Sequence, residues 1–442
     1  MQKIRWSSKF SFIMATTGAA VGLGNIWKFP YMAGDNGGSA FVLIYLLCVA
    51  LIGLPILAGE ILLGKLGRSN PISSLEILSQ KYKFSSKWAW LGAWGLLGLV
   101  LVLSFYSVVA GWSLGYLLRG IQGVFQQKTA LEIEKIWLEF LSNPYEMLVW
   151  HTCFILMTLW VVSSGVRQGI EKVSKLVMPV LLLILIGLVA YACVQGNFKA
   201  GYEFLFSFKL EKITAQVCIE ALGHAFFTLA TGAGCMLVYG AYLSSKTPVI
   251  GNIALVAVLD VLVALLAGMG IFPILFQYNL QPEAGPGLMF KILPIAFSAM
   301  PGGHLIGVLF FLILWFAAWT STISMAEPLV LTCVEKLKWS RKKSAYAIGL
   351  ACWTLGLISV LSFNIWQDFK ILGRSLFELQ ADFATNVVLP LGGLGFMFVL
   401  WNIPRSIIKE TLVLKNQSLF QISYFLMKYL APFAILLIFV AQ

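Results

Sequence analysis

The sequence predicts an all-α polytopic membrane protein, and three observations carry that reading. Its 442 residues are 59% hydrophobic and only 11% charged, against about 25% charged in a soluble domain. The apolar residues gather into eleven runs, near the about 20 residues a helix needs to cross a bilayer. Two runs, roughly half the chain apart, are broken: Gly18-Ala-Ala-Val-Gly-Leu-Gly-Asn25 in the first and Phe227-Thr-Leu-Ala-Thr-Gly-Ala-Gly234 in the sixth. Lipid offers no partner to an unwound backbone, so such breaks survive only where they line a cavity. Two breaks at matching places in two halves point to a solute and ion site near the bilayer midplane.

The runs cover 10–32, 38–63, 88–118, 146–164, 172–194, 213–243, 250–276, 304–335, 343–362, 375–401 and 420–441. The first follows Lys3, Arg5 and Lys9 and so resembles a signal peptide. It lacks a small-x-small cleavage site and runs on to Trp27-Lys-Phe-Pro30, so it reads as a retained span. The second ends in Gly59-Glu-Ile-Leu-Leu-Gly-Lys-Leu66, a near-match to a phosphate loop. Leu66 stands where a magnesium-binding hydroxyl is required, which excludes that reading. The second, third and eighth runs exceed one bilayer thickness and should tilt or protrude. Residues 119–145 are polar enough for a small external helix. Residues 277–303 carry Pro282, Pro286, Pro294 and Pro301 around an apolar stretch and read as a helical hairpin, a candidate lid. Spans 1–5 (about 10–194) and 6–10 (about 213–401) can form an inverted repeat, because an odd number of spans flips the second copy. Span 11 is then an appendage, and the whole chain is one transmembrane domain.

With the N-terminus inside, the cytoplasmic segments hold 20 Lys and Arg against 9 outside. That bias sets the orientation, with the C-terminus outside and the plasma membrane as the location. It also accounts for the net charge of +12 without nucleic acid, since no basic surface interleaved with aromatics exists. The seven Cys form no CxxC pair, and His151, His224 and His304 are too scattered for a shared metal site.

Ionisable residues inside spans are expensive and default to function. The candidates are Glu60, Glu220, His224, Asp260, Glu327 and Asp382, with Lys28 at the outer end of the first break. Asp260 lies deep in the seventh run, where a bound cation removes the cost of its charge. Free carbonyls at Gly18, Ala20 and Val21, with the side chains of Asn25 and Thr228, supply hard oxygen ligands. An oxygen-only shell suits a monovalent cation such as sodium over a transition metal. The hydroxyls of Thr320, Ser321, Thr322 and Ser324 in the eighth run suggest a second cation shell.

Trp6, Gly18-Ala-Ala-Val-Gly-Leu-Gly-Asn-Ile-Trp-Lys-Phe-Pro-Tyr31 and Asn36-Gly-Gly-Ser-Ala-Phe41 strongly resemble the neurotransmitter:sodium symporters, in particular their eleven-span bacterial amino-acid transporters. Gly53-Leu-Pro55 with Glu60, Phe105-Tyr106, Phe226-Phe-Thr-Leu229, Thr320-Ser321 and Asp382-Phe383 extend the likeness over essentially the whole chain. The rule about paired breaks draws on this family, so it lends no separate support. The resemblance implies a sodium-coupled amino-acid symporter working by alternating access. A first sodium site would use Ala20, Asn25, Thr228 and Asp260; a second would use Gly18, Val21, Ala317, Thr320 and Ser321. The substrate carboxylate would meet the Leu23 and Gly24 N–H groups and the Tyr106 hydroxyl. Its ammonium would meet the carbonyls of Ala20, Phe227, Thr228 and Ala230. Gly22 stands where amine carriers place Asp, so the substrate brings its own carboxylate. Val102, Tyr106, Phe227, Ala230, Ala233, Ser321 and Met325 would line a side-chain pocket. The small Ala230 and Ala233 leave room for a hydrophobic, large or aromatic amino acid. Gates would pair Lys28 with Asp382 outside and Lys3 with Glu335 inside, the latter with Trp6 and Tyr242. His224, Asp260 and Ala264 replace chloride ligands, which implies that chloride is not required. Two alternatives stay open: a proton-coupled symporter using His224, and an amino-acid sensor that does not transport.

Overall fold

The computed structural model describes residues 5–207, 210–282, 285–414 and 416–441. Among the described residues nine helices are long and apolar enough to cross a membrane: Ser39–Gly67, Ser86–Ile121, Pro144–Ser163, Val166–Gln195, Ile250–Gln277, Gly303–Lys336, Arg341–Ser362, Leu376–Leu400 and Gln417–Leu437. These are spans 2–5 and 7–11. Span 1 is a bent pair, Lys9–Ala20 and Gly24–Asp35, meeting at 52°. Span 6 is also two pieces, Ala215–Thr228 and Cys235–Ala241. The fold is therefore all-α and polytopic, with the breaks inside the expected runs. Unwound backbone occupies 21–22 and 229–234.

Left-handed backbone makes the second break. Ala230, Gly232 and Gly234 have φ of 51°, 91° and 80°, a region costly to a residue with a Cβ. Glu60 of span 2 accepts the Gly232 N–H, which binds one orphaned backbone donor at the break. That is the place of this fully buried carboxyl in the fold.

Spans 2 and 6 pack backbone to backbone. A Cβ on Gly64 would overlap the Leu237 carbonyl, and one on Gly240 would overlap the Ile61 carbonyl. The same close approach joins the span 6 break to span 10, where a Cβ on Gly392 would overlap the Gly232 carbonyl. Spans 4, 5, 9 and 11 turn large apolar side chains outward, among them Leu156, Trp160, Leu183, Leu350 and Phe433, as lipid-facing positions require.

The external helix is Ala130–Ser142, opened by a capping box between Thr129 and Glu132. The expected hairpin over 277–303 differs from a helix pair: one apolar helix, Leu288–Ala299, follows a non-helical arm. Pro282 and Pro286 deny that arm helical hydrogen bonds. The arm reaches span 1, where Trp27 Nε1 donates to the Gly285 carbonyl at 2.9 Å. The hairpin helix packs on the external helix through Trp137 and Phe290, stacked at 5.5 Å, and through Lys291 and Glu134 at 3.1 Å. Helices Pro71–Tyr82, Phe198–Phe206 and Arg405–Leu412 and a hairpin of Lys370–Ile371 with Arg374–Ser375 complete the connections.

Candidate functional site

The two breaks face each other across one polar cluster. Asn25, at the outer side of the span 1 break, donates from Nδ2 to Asp260 Oδ1 at 2.8 Å and to Thr228 Oγ1 at 3.1 Å. Thr228, the last helical residue before the span 6 break, donates to Asp260 Oδ2 at 3.0 Å. Asn25 Oδ1 accepts the Gly22 N–H at 3.1 Å. All three side chains are buried. A buried carboxylate met only by the neutral groups of Asn25 and Thr228, with the Tyr45 hydroxyl beside them, is an incompletely paired charge. Among the described residues no group of three His, Cys, Asp or Glu could hold a metal ion. The donor set fits a hard monovalent cation.

A second cluster lies between spans 1 and 8. Ser321 Oγ is 3.3 Å from the Gly18 carbonyl and 3.1 Å from that of Val21, both at the end of the first half of span 1. Thr320 sits one residue earlier, its hydroxyl donating to its own helix at Phe316 and Ala317. Of the five residues expected at a second cation shell, Ser321 meets Gly18 and Val21, while the Ala317 carbonyl accepts from Thr320 within span 8.

Between the breaks is a largely apolar cavity. At its top the Tyr106 hydroxyl accepts the Leu23 N–H at 2.9 Å. A Cβ added to Gly22 would lie 2.7 Å from both Tyr106 Oη and Ser321 Oγ, so any side chain there must displace those two hydroxyls. Ala20, Gly24, Val102, Phe227, Thr228, Ala230, Ala233, Ser321 and Met325 line the cavity as the sequence suggested. Leu99, Thr231, Cys235 and Leu389 also line it and were not foreseen. Leu99 lies three and seven residues before Val102 and Tyr106, so helical spacing alone could have found it. Leu389 belongs to span 10, and no sequence signal marks it.

Tyr106 and Phe227 line both this cavity and an outer vestibule, and so form the partition between them. Lys28 Nζ lies 4.9 Å from the centre of the Phe227 ring. Its expected partner Asp382 is engaged elsewhere: Arg374 Nη1 donates to Asp382 Oδ2 at 2.7 Å. Among the described residues no Lys28–Asp382 salt bridge forms. On the inner side Trp6 Nε1 donates to the Tyr239 carbonyl at 3.1 Å, and its ring meets Tyr242 edge-on at 5.8 Å. Lys3 lies outside the described residues. Glu335 accepts from Asn70 N at 2.9 Å and Asn70 Nδ2 at 2.7 Å. Tyr242 donates to Glu327 at 2.6 Å, and Arg341 grips both oxygens of that buried carboxylate.

His224 stands apart from the hydrogen-bonded groups. Its ring lies 5.3 Å from Tyr45 and about as close to Phe29 and Phe41, and neither ring nitrogen has a protein partner.

The profile of the sodium:neurotransmitter symporter family matches residues 3–139 and 124–442. An uncharacterised sodium-dependent transporter of Bacillus subtilis is 35% identical, over 99% of this chain and 97% of its own. Another from Haemophilus influenzae is 32% identical, over 100% and 98%. The crystal structure of MhsT in complex with L-phenylalanine superposes with a TM-score of 0.92 at 37% identity, covering 99% of each chain. With paired broken helices around one oxygen-lined cluster and likeness along its whole length, the chain belongs to the sodium:neurotransmitter symporter family, in its bacterial branch, and is a membrane transporter.

Proposed function

We propose that the chain is a sodium-coupled symporter that imports a hydrophobic, large or aromatic amino acid by alternating access. The observation that carries this reading is the junction of Asn25, Thr228 and Asp260 with an apolar cavity whose upper wall holds the Leu23–Tyr106 bond. A carboxylate placed beside Tyr106 and the helix end at Leu23 and Gly24 meets N–H dipoles that favour an anion. Its second oxygen would face the cation at Asp260, so substrate and sodium would each complete the other's shell. The ammonium would face the Ala20, Phe227, Thr228 and Ala230 carbonyls. A second sodium at Gly18, Val21, Ala317, Thr320 and Ser321 would tie span 1 to span 8.

Size favours a large side chain. Tyr106 and Leu99 are seven residues apart on one helical face, a depth of about 10 Å, and the wall between them is apolar. L-phenylalanine bound to the similar MhsT supports the same class. Asp260 brings its own negative charge to the place where chloride-dependent relatives bind the anion, and we infer transport without chloride. The excess of Lys and Arg on one side supports a cytoplasmic N-terminus, an outer C-terminus and insertion in the plasma membrane. Spans 1–5 and 6–10 would form the inverted repeat, with span 11 outside it. No covalent chemistry is needed.

The test is uptake of a labelled amino-acid panel into proteoliposomes, with inward sodium against matched potassium and no pH gradient. Sodium-driven accumulation of Trp, Phe, Tyr, Leu or Met is the expected result. Binding without accumulation would convert the reading to a sensor. Accumulation driven only by a proton gradient would transfer the coupling to His224.

A further inference from the structure

We propose that Leu389 of span 10 sets the depth of the cavity and thereby selects the size of the transported side chain. This rests on the reading of that cavity as an amino-acid site. Span 10 approaches the cavity because the span 6 break has no bulk to keep it away. A Cβ on Gly392 would overlap the Gly232 carbonyl, and one on Gly232 would overlap the Leu389 carbonyl. On the other side Leu389 Cδ2 would lie 3.5 Å from a Cβ built on Gly98 of span 3. The Leu389 backbone is thus held against Gly232 while its isobutyl group reaches the Gly98 side of span 3; the residue is 6% exposed and lines the cavity.

Its neighbours offer a substrate no competing polar contact. Thr231 Oγ1 is committed to the Phe226 carbonyl at 3.1 Å, and Cys235 Sγ to the Ser324 carbonyl at 3.2 Å. The contact between this end of the cavity and a side chain is therefore one of shape and apolar area. Tyr106, where the carboxylate is expected, is two helical turns from Leu99 on span 3, and Leu389 lies on the span opposite, beside Gly98. Removing its three terminal carbons lengthens the cavity; a ring in their place shortens it. Shape in an apolar pocket discriminates by about 10- to 200-fold per methylene.

The experiment is sodium-dependent binding of alanine, valine, leucine, phenylalanine and tryptophan to purified wild type, Leu389→Ala and Leu389→Phe. Leu389→Phe should lose tryptophan relative to valine by about tenfold or more, and Leu389→Ala should shift the ratio about as far the other way. The sodium concentration for half-saturation measured without amino acid should not move in either variant, whereas a merely structural role would move it. A tryptophan-to-valine ratio unchanged in both variants, or equal loss of all five ligands in both, overturns the proposal. If wild type binds none of the five, the amino-acid reading itself fails, and that outcome is distinct from an unchanged ratio.

Discussion

Arg374 and Asp382 form an ion pair at 2.7 Å at the outer mouth of the molecule, eight residues apart in the chain. Arg374 is on the short β-hairpin and Asp382 on the first turns of span 10. Arginine's planar fork suits a carboxylate better than lysine's point charge. Lys28 instead covers the Phe227 ring. The pair is 60% and 40% exposed, so its coupling should be within about 0.2–1 kcal/mol. A double-mutant cycle of Arg374→Gln with Asp382→Asn, read as substrate dissociation rate, should give that coupling. The cycle of Lys28→Gln with Asp382→Asn should give a smaller value; the reverse order would return the latch to Lys28.

Asp260→Asn keeps the shape of the cluster and removes its charge. Sodium-dependent uptake should fall to background, with at least about a hundredfold rise in the sodium needed for half-maximal binding, equivalent to about 2.7 kcal/mol. Near-normal uptake at unchanged sodium affinity would remove Asp260 from the ion site.

Gly22→Ala places a methyl 2.7 Å from the Tyr106 and Ser321 oxygens. Overpacking of this kind costs about 1–3 kcal/mol. Substrate affinity should drop by about 5- to 150-fold, and the thermal midpoint without substrate should fall as well. Equilibrium binding beside a melting curve distinguishes the two effects.

Glu327 and Arg341 form a pair of which the carboxylate is fully buried. Glu327→Gln leaves the guanidinium short of its counter-charge and should destabilise the protein by about 3–5 kcal/mol. Replacing both by apolar residues of similar volume should cost less than the single change. Thermal unfolding of the single and double variants in the same detergent checks this ordering.

The spans were legible because a bilayer imposes length and apolarity on every one of them. The breaks were legible because glycine and small residues interrupt those runs. Helix Pro71–Tyr82 was not, since its apolar face is short and a hydropathy scan averages it away. Its Asn70 cap, which accepts Ser73 N at 3.0 Å, followed by Pro71, was the available signal. Asn25, Thr228 and Asp260 were readable together because each is a polar residue in apolar surroundings. Arg374 was not, because an exposed arginine on a hairpin carries no such contrast, and its partner is decided by the turn. Leu389 was hidden for the opposite reason: it is one apolar residue among many, and only backbone approach at Gly232 and Gly392 brings it to the cavity.

The glycine contacts between Gly64 and Leu237 and between Gly240 and Ile61 carry a mechanical consequence. Two helices in side-chain contact can slide by changing rotamers, but two backbones in direct contact have nothing to rearrange. The inner half of span 6 and span 2 must therefore travel as a single lever. Any movement of one has to carry the other, and every residue larger than hydrogen at those two glycines forces the pair apart.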